Sequence, residues 1–192
     1  SYSSPLSYLK TNVDGAYNIL ENAKRSNIEQ LIMTSTSEVY GSAQYSPIDE
    51  KHPLVGQSPY SASKIAADQL AISYFRSFKL PVKILRPFNT YGPRQSQRAA
   101  IPTIISQMLN GKKKIKLGNL KSSRDFTLVH DTVNGFIKTI HNKKCVGQVI
   151  NLGTGFHFTI GETVKIISKI LKKDIKVELD MKRVRPKKSE VD

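Results

Sequence analysis

QLIMTS at residues 30–35, SPYSASKIAADQLAISYFRSF at 58–78 and VKIL at 82–85 read as strand, helix and strand in succession. The first is a short apolar run that ends in hydroxyl residues. In the second, Ser58-Pro59 has the form of an N-cap with proline at the first helical position, and Ala62, Ala66, Leu70 and Tyr74 repeat every four residues behind it. Residues 40–59 between them are rich in Gly, Ser, Pro and Gln, the composition of a long loop. Two apolar strands joined through a helix of this length predict parallel neighbours, because parallel pairing needs a crossover connection.

The alternation extends in both directions. Upstream, Leu6, Leu9, Val13, Tyr17, Leu20 and Ala23 fall at helical spacing and predict a helix over residues 5–27, with Asn27 suited to its exit. Downstream, the pattern predicts helices at 101–109, 131–140 and 160–171 and strands at 115–117, 126–129, 149–152 and 175–179. The expected fold is α/β: a Rossmann-like parallel sheet with a small mixed α/β cap. Residues 1–92 are assigned to the sheet domain and 93–192 mainly to a substrate-binding region, with some later segments returning to the sheet.

Composition narrows the function. With 192 residues, 39% hydrophobic and 23% charged, the chain has the length of one domain or a piece of a larger one, and disordered, collagenous and disulfide-scaffolded classes are excluded. Cys145 is the single cysteine, no apolar run approaches the ~20 residues that span a bilayer, and residues 1–10 lack the pattern of a signal peptide. A soluble, cytoplasmic protein with no membrane partner is expected. The 30 basic residues against 15 acidic give 30 − 15 = +15. Of these 22 are Lys in scattered short clusters, without a nucleic-acid-binding module or interleaved aromatics, so nucleic acid is not the expected partner.

In a parallel sheet of this kind ligands bind beyond the carboxyl ends of the strands, which points to Thr34-Ser35-Thr36-Ser37-Glu38 and to Arg86-Pro87-Phe88-Asn89. Tyr60 and Lys64, four apart near a helix start, project from one face. Eight Tyr and 22 Lys give roughly one such pair by chance, so the spacing alone says little. Their place after a polar loop and a hydroxyl-rich strand end says more. A phenol with an ordinary pKa of ~10 is a poor base at neutral pH, and a nearby ammonium favours the phenolate. Glu38 beside Thr36 and Ser37 completes a set able to move protons. His130 and His141 lack partners at metal spacing and read as packing or surface groups, Asp125 and Asp131 as caps of local turns and the following helix, and Cys145 as a loop thiol; no metal is implied.

Taken in order, Asn12-Val13-x-Gly15 with Asn18-Ile19-Leu20, then residues 35–41 (Ser-Thr-Ser-Glu-Val-Tyr-Gly), Ser58-Pro59-Tyr60-x-x-Ser63-Lys64, residues 86–94 (Arg-Pro-Phe-Asn-Thr-Tyr-Gly-Pro-Arg) and Arg124-Asp125-Phe126 resemble the extended short-chain dehydrogenase/reductase family over nearly the whole chain. The triplet Thr36-Ser37-Glu38 is similar to that of nucleotide-sugar 4,6-dehydratases of the GDP-mannose dehydratase type. Residues 183–191 are similar to bacterial dehydratases of legionaminic acid-type pathways. The resemblance implies Tyr60 as base for a sugar C4 hydroxyl, with Lys64 lowering its pKa and contacting the cofactor ribose, and Thr36 holding the C4 oxygen. It implies Glu38 as base at C5, and Ser37 with Glu38 assisting loss of water from C6. Pro87 would lie near the nicotinamide, and Asn89, Arg124 and Arg185 would contact the diphosphate, a task suited to the guanidinium fork. NAD is the implied cofactor, with NADP as the alternative, and a homodimer through helices 5–27 and 58–78 is implied as well.

Two departures qualify the likeness. No G-x-G-x-x-G turn for a dinucleotide pyrophosphate is present, and Gly153-Thr154-Gly155 reads instead as a turn after a strand. The chain is therefore expected to be a fragment lacking the Gly-rich half that would precede Ser1, and to bind NAD weakly on its own. Ser37 stands where dehydratases acting on dTDP-glucose carry an aspartate. UDP-glucuronate decarboxylases share the Ser-Thr-Ser-Glu-Val-Tyr-Gly string and are the nearest alternative; 4-epimerases, which generally lack the glutamate, come next.

Overall fold

The computed structural model describes residues 2–181. Three strands, β1 (Leu31–Thr34), β2 (Val82–Pro87) and β7 (Val149–Leu152), form a parallel sheet in the order β1-β2-β7. Leu31 pairs with Val82 at one end and Thr34 with Leu85 at the other, while Ile84 to Pro87 pair with Val149 to Leu152. Helix α3 (Pro59–Phe78) makes the crossover from β1 to β2. Its start is the one the sequence specifies: Ser58 Oγ accepts from the Ser61 N–H at 3.1 Å and Ser61 Oγ accepts from the Ser58 N–H at 2.9 Å, a reciprocal capping box. The helix ends at Lys79, in the left-handed region with φ 57°.

The predicted helix at 5–27 is divided. Residues Pro5–Leu9 form α1, Lys10–Asp14 a π-helical turn and Gly15–Arg25 helix α2. The widened turn contains Asn12, whose amide donates to Ser63 Oγ on α3 at 2.9 Å, a tether that regular spacing does not reveal. Helices α2 and α3 cover one face of the sheet. Leu20, Ala23, Ala71, Tyr74, Leu80, Val82 and Ile84 form the core there, and full burial of side chains such as Leu20 and Ile84 contributes about 1.5–3 kcal/mol each.

Helix α5 (Val129–His141) lies against the other face. Val82, Ile84 and Arg86 of β2 point towards α2 and α3, so Lys83 points towards α5. Its ammonium, 1% exposed with the residue, donates to the carbonyls of Thr139 at 2.7 Å and Ile140 at 3.2 Å and to Gln30 Oε1 at 2.8 Å. A cation here satisfies terminal carbonyls and complements the negative end of the helix dipole.

A second layer follows β2. Strand β3 (Asn89–Tyr91) pairs in parallel with β6 (Phe126–Leu128), and β5 (Ser123–Arg124) pairs antiparallel with β8 (Phe158–Thr159). Strand β4 (Lys114–Leu117) pairs in parallel with β9 (Lys176–Leu179) beneath α4 (Ala100–Leu109) and α6 (Ile160–Leu171). Ile104, Met108, Ile115, Leu117, Val164 and Ile167 make a separate apolar core there. Because β7 rejoins the main sheet, the chain after residue 92 builds both this layer and part of the first.

Asp131 lies in the first turn of α5 but does not cap it: the N-cap is Leu128, with no side-chain cap hydrogen bond. Asp125 caps more than its neighbours. Its carboxylate accepts from the N–H groups of Thr154 and Gly155 and from Thr154 Oγ1, each at 2.8 Å, and so fastens the Gly153-Thr154-Gly155 turn that follows β7.

Candidate active site

The carboxyl ends of β1 and β2 carry the chemistry-bearing residues. After Thr34 the chain turns through Ser35 and Thr36 into a 3₁₀ segment, Ser37–Tyr40. Thr36 is its N-cap: Oγ1 accepts from the Glu38 N–H at 3.2 Å. Gly41 ends the segment at φ 67°, where a Cβ would come within 2.9 Å of the Val55 carbonyl oxygen, so this exit requires glycine.

Helix α3 brings Tyr60 to this turn. Its phenol hydrogen-bonds the Thr36 side chain and feels the charge of Glu38, so a helix residue shares one locale with two residues of the turn. The Tyr8 ring meets Tyr60 edge-on, with centroids 5.8 Å apart. Burial pushes the Tyr60 phenol above its ordinary value of 10; the Thr36 hydrogen bond pulls it down and the Glu38 charge pushes it up. Lys64 does not set the direction of this shift, because desolvation outweighs the lowering influences. Lys64 instead donates to the Thr34 carbonyl at 2.7 Å, and burial pushes its ammonium below the ordinary 10.5.

Two adjoining cavities open beside the turn. One, of about 380 Å³, is bordered by Glu38, Asn89, Gln95, Arg98 and Arg124. The other, of about 360 Å³, is bordered by Ser37, Asn89, Ser123, Arg124 and Phe156. Asn89 and Arg124 stand between the two, and Glu38 and Ser37 face different ones. Thr36, Tyr60, Lys64 and Pro87 border neither, and Arg185 lies outside the described residues. Arg124 donates to the Ser123 carbonyl at 2.6 Å, while Gln95 Oε1 and Ser123 Oγ are buried without a hydrogen-bond partner.

Beneath the turn Ser35 and Arg86, both at the strand ends singled out above, join three residues that sequence reasoning passed over: the buried Tyr40 and Asp68 and the half-buried Asn151. Arg86 Nη2 lies 2.9 Å from Asp68 Oδ2, with side-chain exposures of 3% and 2%. The signal was present. VKILRP places two cations in a strand whose neighbours are apolar, and a buried charge needs a partner.

A parallel sheet with helices on both faces, Tyr60 and Lys64 one turn apart beside it, and a hydroxyl-carboxylate turn at its carboxyl end define an extended short-chain dehydrogenase/reductase. More narrowly, the chain belongs to the GDP-mannose 4,6 dehydratase family, whose profile matches residues 1–192. It is 35% identical over 181 residues to a dTDP-D-glucose 4,6-dehydratase of Dictyostelium discoideum, covering 88% of this chain and 42% of the relative. Among solved structures it is similar to TunA, an NAD-dependent NDP-hexosamine 5,6-dehydratase (TM-score 0.89, 28% identity, covering 100% of this chain and 62% of that one). It is also similar to UDP-glucuronic acid 4-epimerase from Bacillus cereus in complex with UDP-glucuronic acid and NAD (TM-score 0.84, 31% identity, 89% and 55%). The chain thus spans about half the length of the curated relatives it matches. Likeness to dTDP-glucose 4,6-dehydratases over most of the chain runs against the expected distance from that branch, for which Ser37 is the one residue offered.

Proposed function

We propose that this chain carries the catalytic turn and substrate wall of an NAD-dependent nucleotide-sugar 4,6-dehydratase, a hydro-lyase that yields a 4-keto-6-deoxy sugar nucleotide. The observation that carries the reading is the convergence of Thr36, Glu38 and Tyr60 at the carboxyl end of β1. In this reading residues 1–92 serve the cofactor side and residues 93–192 mainly the nucleotide sugar.

The donor set suits one end of a dinucleotide. Lys64 has three N–H donors and spends one on the Thr34 carbonyl, which leaves two for ribose hydroxyls beside the Tyr60 phenol, with Pro87 at the end of the neighbouring strand. When bound, NAD supplies the hydride acceptor for C4 and the hydride donor for C6. Tyr60, in the small fraction ionised at neutral pH, takes the C4 hydroxyl proton while Thr36 holds that oxygen. A ketone at C4 acidifies the C5 proton, which Glu38 removes, and Ser37 and Glu38 deliver a proton to the C6 hydroxyl as it leaves as water; C5 regains a proton from solvent when C6 takes hydride, balanced by the proton Tyr60 releases to solvent. Asn89 and Arg124, standing between the cavities, contact the diphosphate, with Arg185 as a further contact. The unpaired Gln95 Oε1 and Ser123 Oγ are acceptors for substrate hydroxyl or amide donors.

Glu38→Gln tests the assignment. In the intact enzyme it spares C4 oxidation, seen as cofactor reduction, and lowers dehydration by about 10²–10⁴-fold; full-rate product from this variant would end the reading. Carbon dioxide release from UDP-glucuronate, or C4 inversion without loss of water, would assign the site to a decarboxylase or an epimerase. The same reading carries a cytoplasmic homodimer through helices 5–27 and 58–78, supported by the exposed apolar residues Leu6, Leu9, Tyr17 and Ile19 on the first and Phe78 on the second. No described helix is long and apolar enough to cross a membrane.

A further inference from the structure

The turn that presents Thr36, Ser37 and Glu38 is weakly held by its own backbone. Val39 N–H reaches the Thr36 carbonyl at 3.5 Å and Gly41 N–H reaches that of Glu38 at 3.4 Å, both long for such bonds. The Val55 N–H to Val39 carbonyl bond, at 2.9 Å, ties its middle to the next loop. Its two ends are held differently. Ser35, which precedes it, donates from Oγ to Asp68 Oδ2 at 2.8 Å. Tyr40, which closes it and is fully buried, accepts at its hydroxyl from Arg86 Nη1 at 2.9 Å and donates to Asn151 Oδ1 at 2.7 Å. Arg86 completes the circuit, with Nε 3.0 Å and Nη2 2.9 Å from the same Asp68 oxygen.

We propose that the Asp68–Arg86 ion pair is a positioning device: by gripping Ser35 and Tyr40 it fixes both ends of the turn that carries Thr36, Ser37 and Glu38. A buried ion pair is a poor source of stability, since hydrocarbon of similar volume often serves as well or better. What it provides is direction. Three donors converge on one carboxylate oxygen, and the guanidinium fork sets the angle between the strand end and the Tyr40 hydroxyl. The grip extends to a third strand, because Asn151 Oδ1 of β7 accepts a hydrogen bond from the Tyr40 hydroxyl while its Nδ2 donates to the Ile48 carbonyl at 3.3 Å. Asp68 stands one helical turn beyond Lys64, so the pair also references the turn to the helix that carries Tyr60.

The affected step follows from the dehydratase reading; the grip itself is a property of the fold. Tyr40→Phe keeps the ring and removes the hydroxyl. In the intact enzyme it lowers kcat on the order of tenfold with KM within about twofold, as a misplaced carboxylate slows C5 proton removal while C4 oxidation continues, so reduced cofactor accumulates during turnover. Amide hydrogen exchange at residues 36–40 rises in the same variant. Arg86→Lys, which keeps the charge and loses the fork, behaves alike. The double variant Asp68→Leu/Arg86→Met retains thermal stability yet keeps the kcat defect, which a purely stabilising pair would not do. Should that variant fail to fold, Tyr40→Phe and Ser35→Ala, each removing a single hydroxyl, decide the matter. Unchanged kcat together with unchanged exchange in Tyr40→Phe overturns the proposal. If the unaltered enzyme dehydrates no nucleotide sugar, the functional reading fails, and exchange at 36–40 alone decides the grip: faster exchange upholds it and unchanged exchange overturns it.

Discussion

The layer built on β1, β2 and β7 and the layer built on α4, α6, β4 and β9 solve the problem of an interior in opposite ways. The first buries Lys83, Arg86, Asp68, Ser35, Ser61 and Ser63 among its hydrocarbons. The second closes on Ile104, Met108, Ile115, Leu117, Val164 and Ile167, with only Thr103 and Thr163 as buried polar groups on its helices. Apolar contact has no preferred direction, so it is enough for a wall that must only close. Hydrogen-bonded charges fix angles, and they occur beneath the turn to which the proposed proton transfers are assigned.

The contrast is sharpest at the Tyr60 hydroxyl. Tyr60→Phe removes one atom from the first layer and abolishes turnover, with a loss of about 10³-fold or more in cofactor reduction and no change in the circular dichroism spectrum. Comparable energy in the second layer goes into stability instead. Ile104→Ala costs about 2–5 kcal/mol, read as a lower Tm, while kcat per folded molecule stays the same. A large kcat loss at full occupancy in Ile104→Ala would break the distinction.

A smaller effect separates charge from shape within the site. The Glu38 charge raises the Tyr60 pKa, so in Glu38→Gln the phenol ionises at lower pH and the rise of C4 oxidation with pH moves towards acid, a shift visible in the pH profile of cofactor reduction. The smallest effect belongs to the second layer. Thr159 and Glu162 form the capping box of α6, with Thr159 Oγ1 accepting from the Glu162 N–H at 3.1 Å and Glu162 Oε2 accepting from the Thr159 N–H at 2.8 Å. Thr159→Ala costs about 1 kcal/mol. These bonds hold the Glu162 carboxyl below its ordinary 4.5, so its contribution is complete above that value and is lost as pH falls through the lower, folded value. Acid titration of Tm in Glu162→Gln lacks that decline.

Much of this was legible in the residues. The strand, helix and strand over 30–85 and their parallel pairing follow from apolar periodicity and an N-cap, because these are local signals. The division of the first helix was not legible, since the π turn is accompanied by a tether from Asn12 to Ser63 across 51 positions. The likeness to a known family named Tyr60, Lys64 and Glu38, but composition and spacing do not measure desolvation, which decides the direction of the Tyr60 pKa. Tyr40, Asp68 and Asn151 escaped notice because each looks ordinary alone; only the folded chain brings residues 40, 68, 86 and 151 together.

Lys83 has a practical corollary. In a chain with 22 lysines it is 1% exposed, its ammonium held between Gln30 and the end of α5. Amine-directed reagents will therefore modify the surface lysines first and reach position 83 only when α5 parts from β2. Mass-spectrometric timing of that one acylation reports how often the sheet loses its cover.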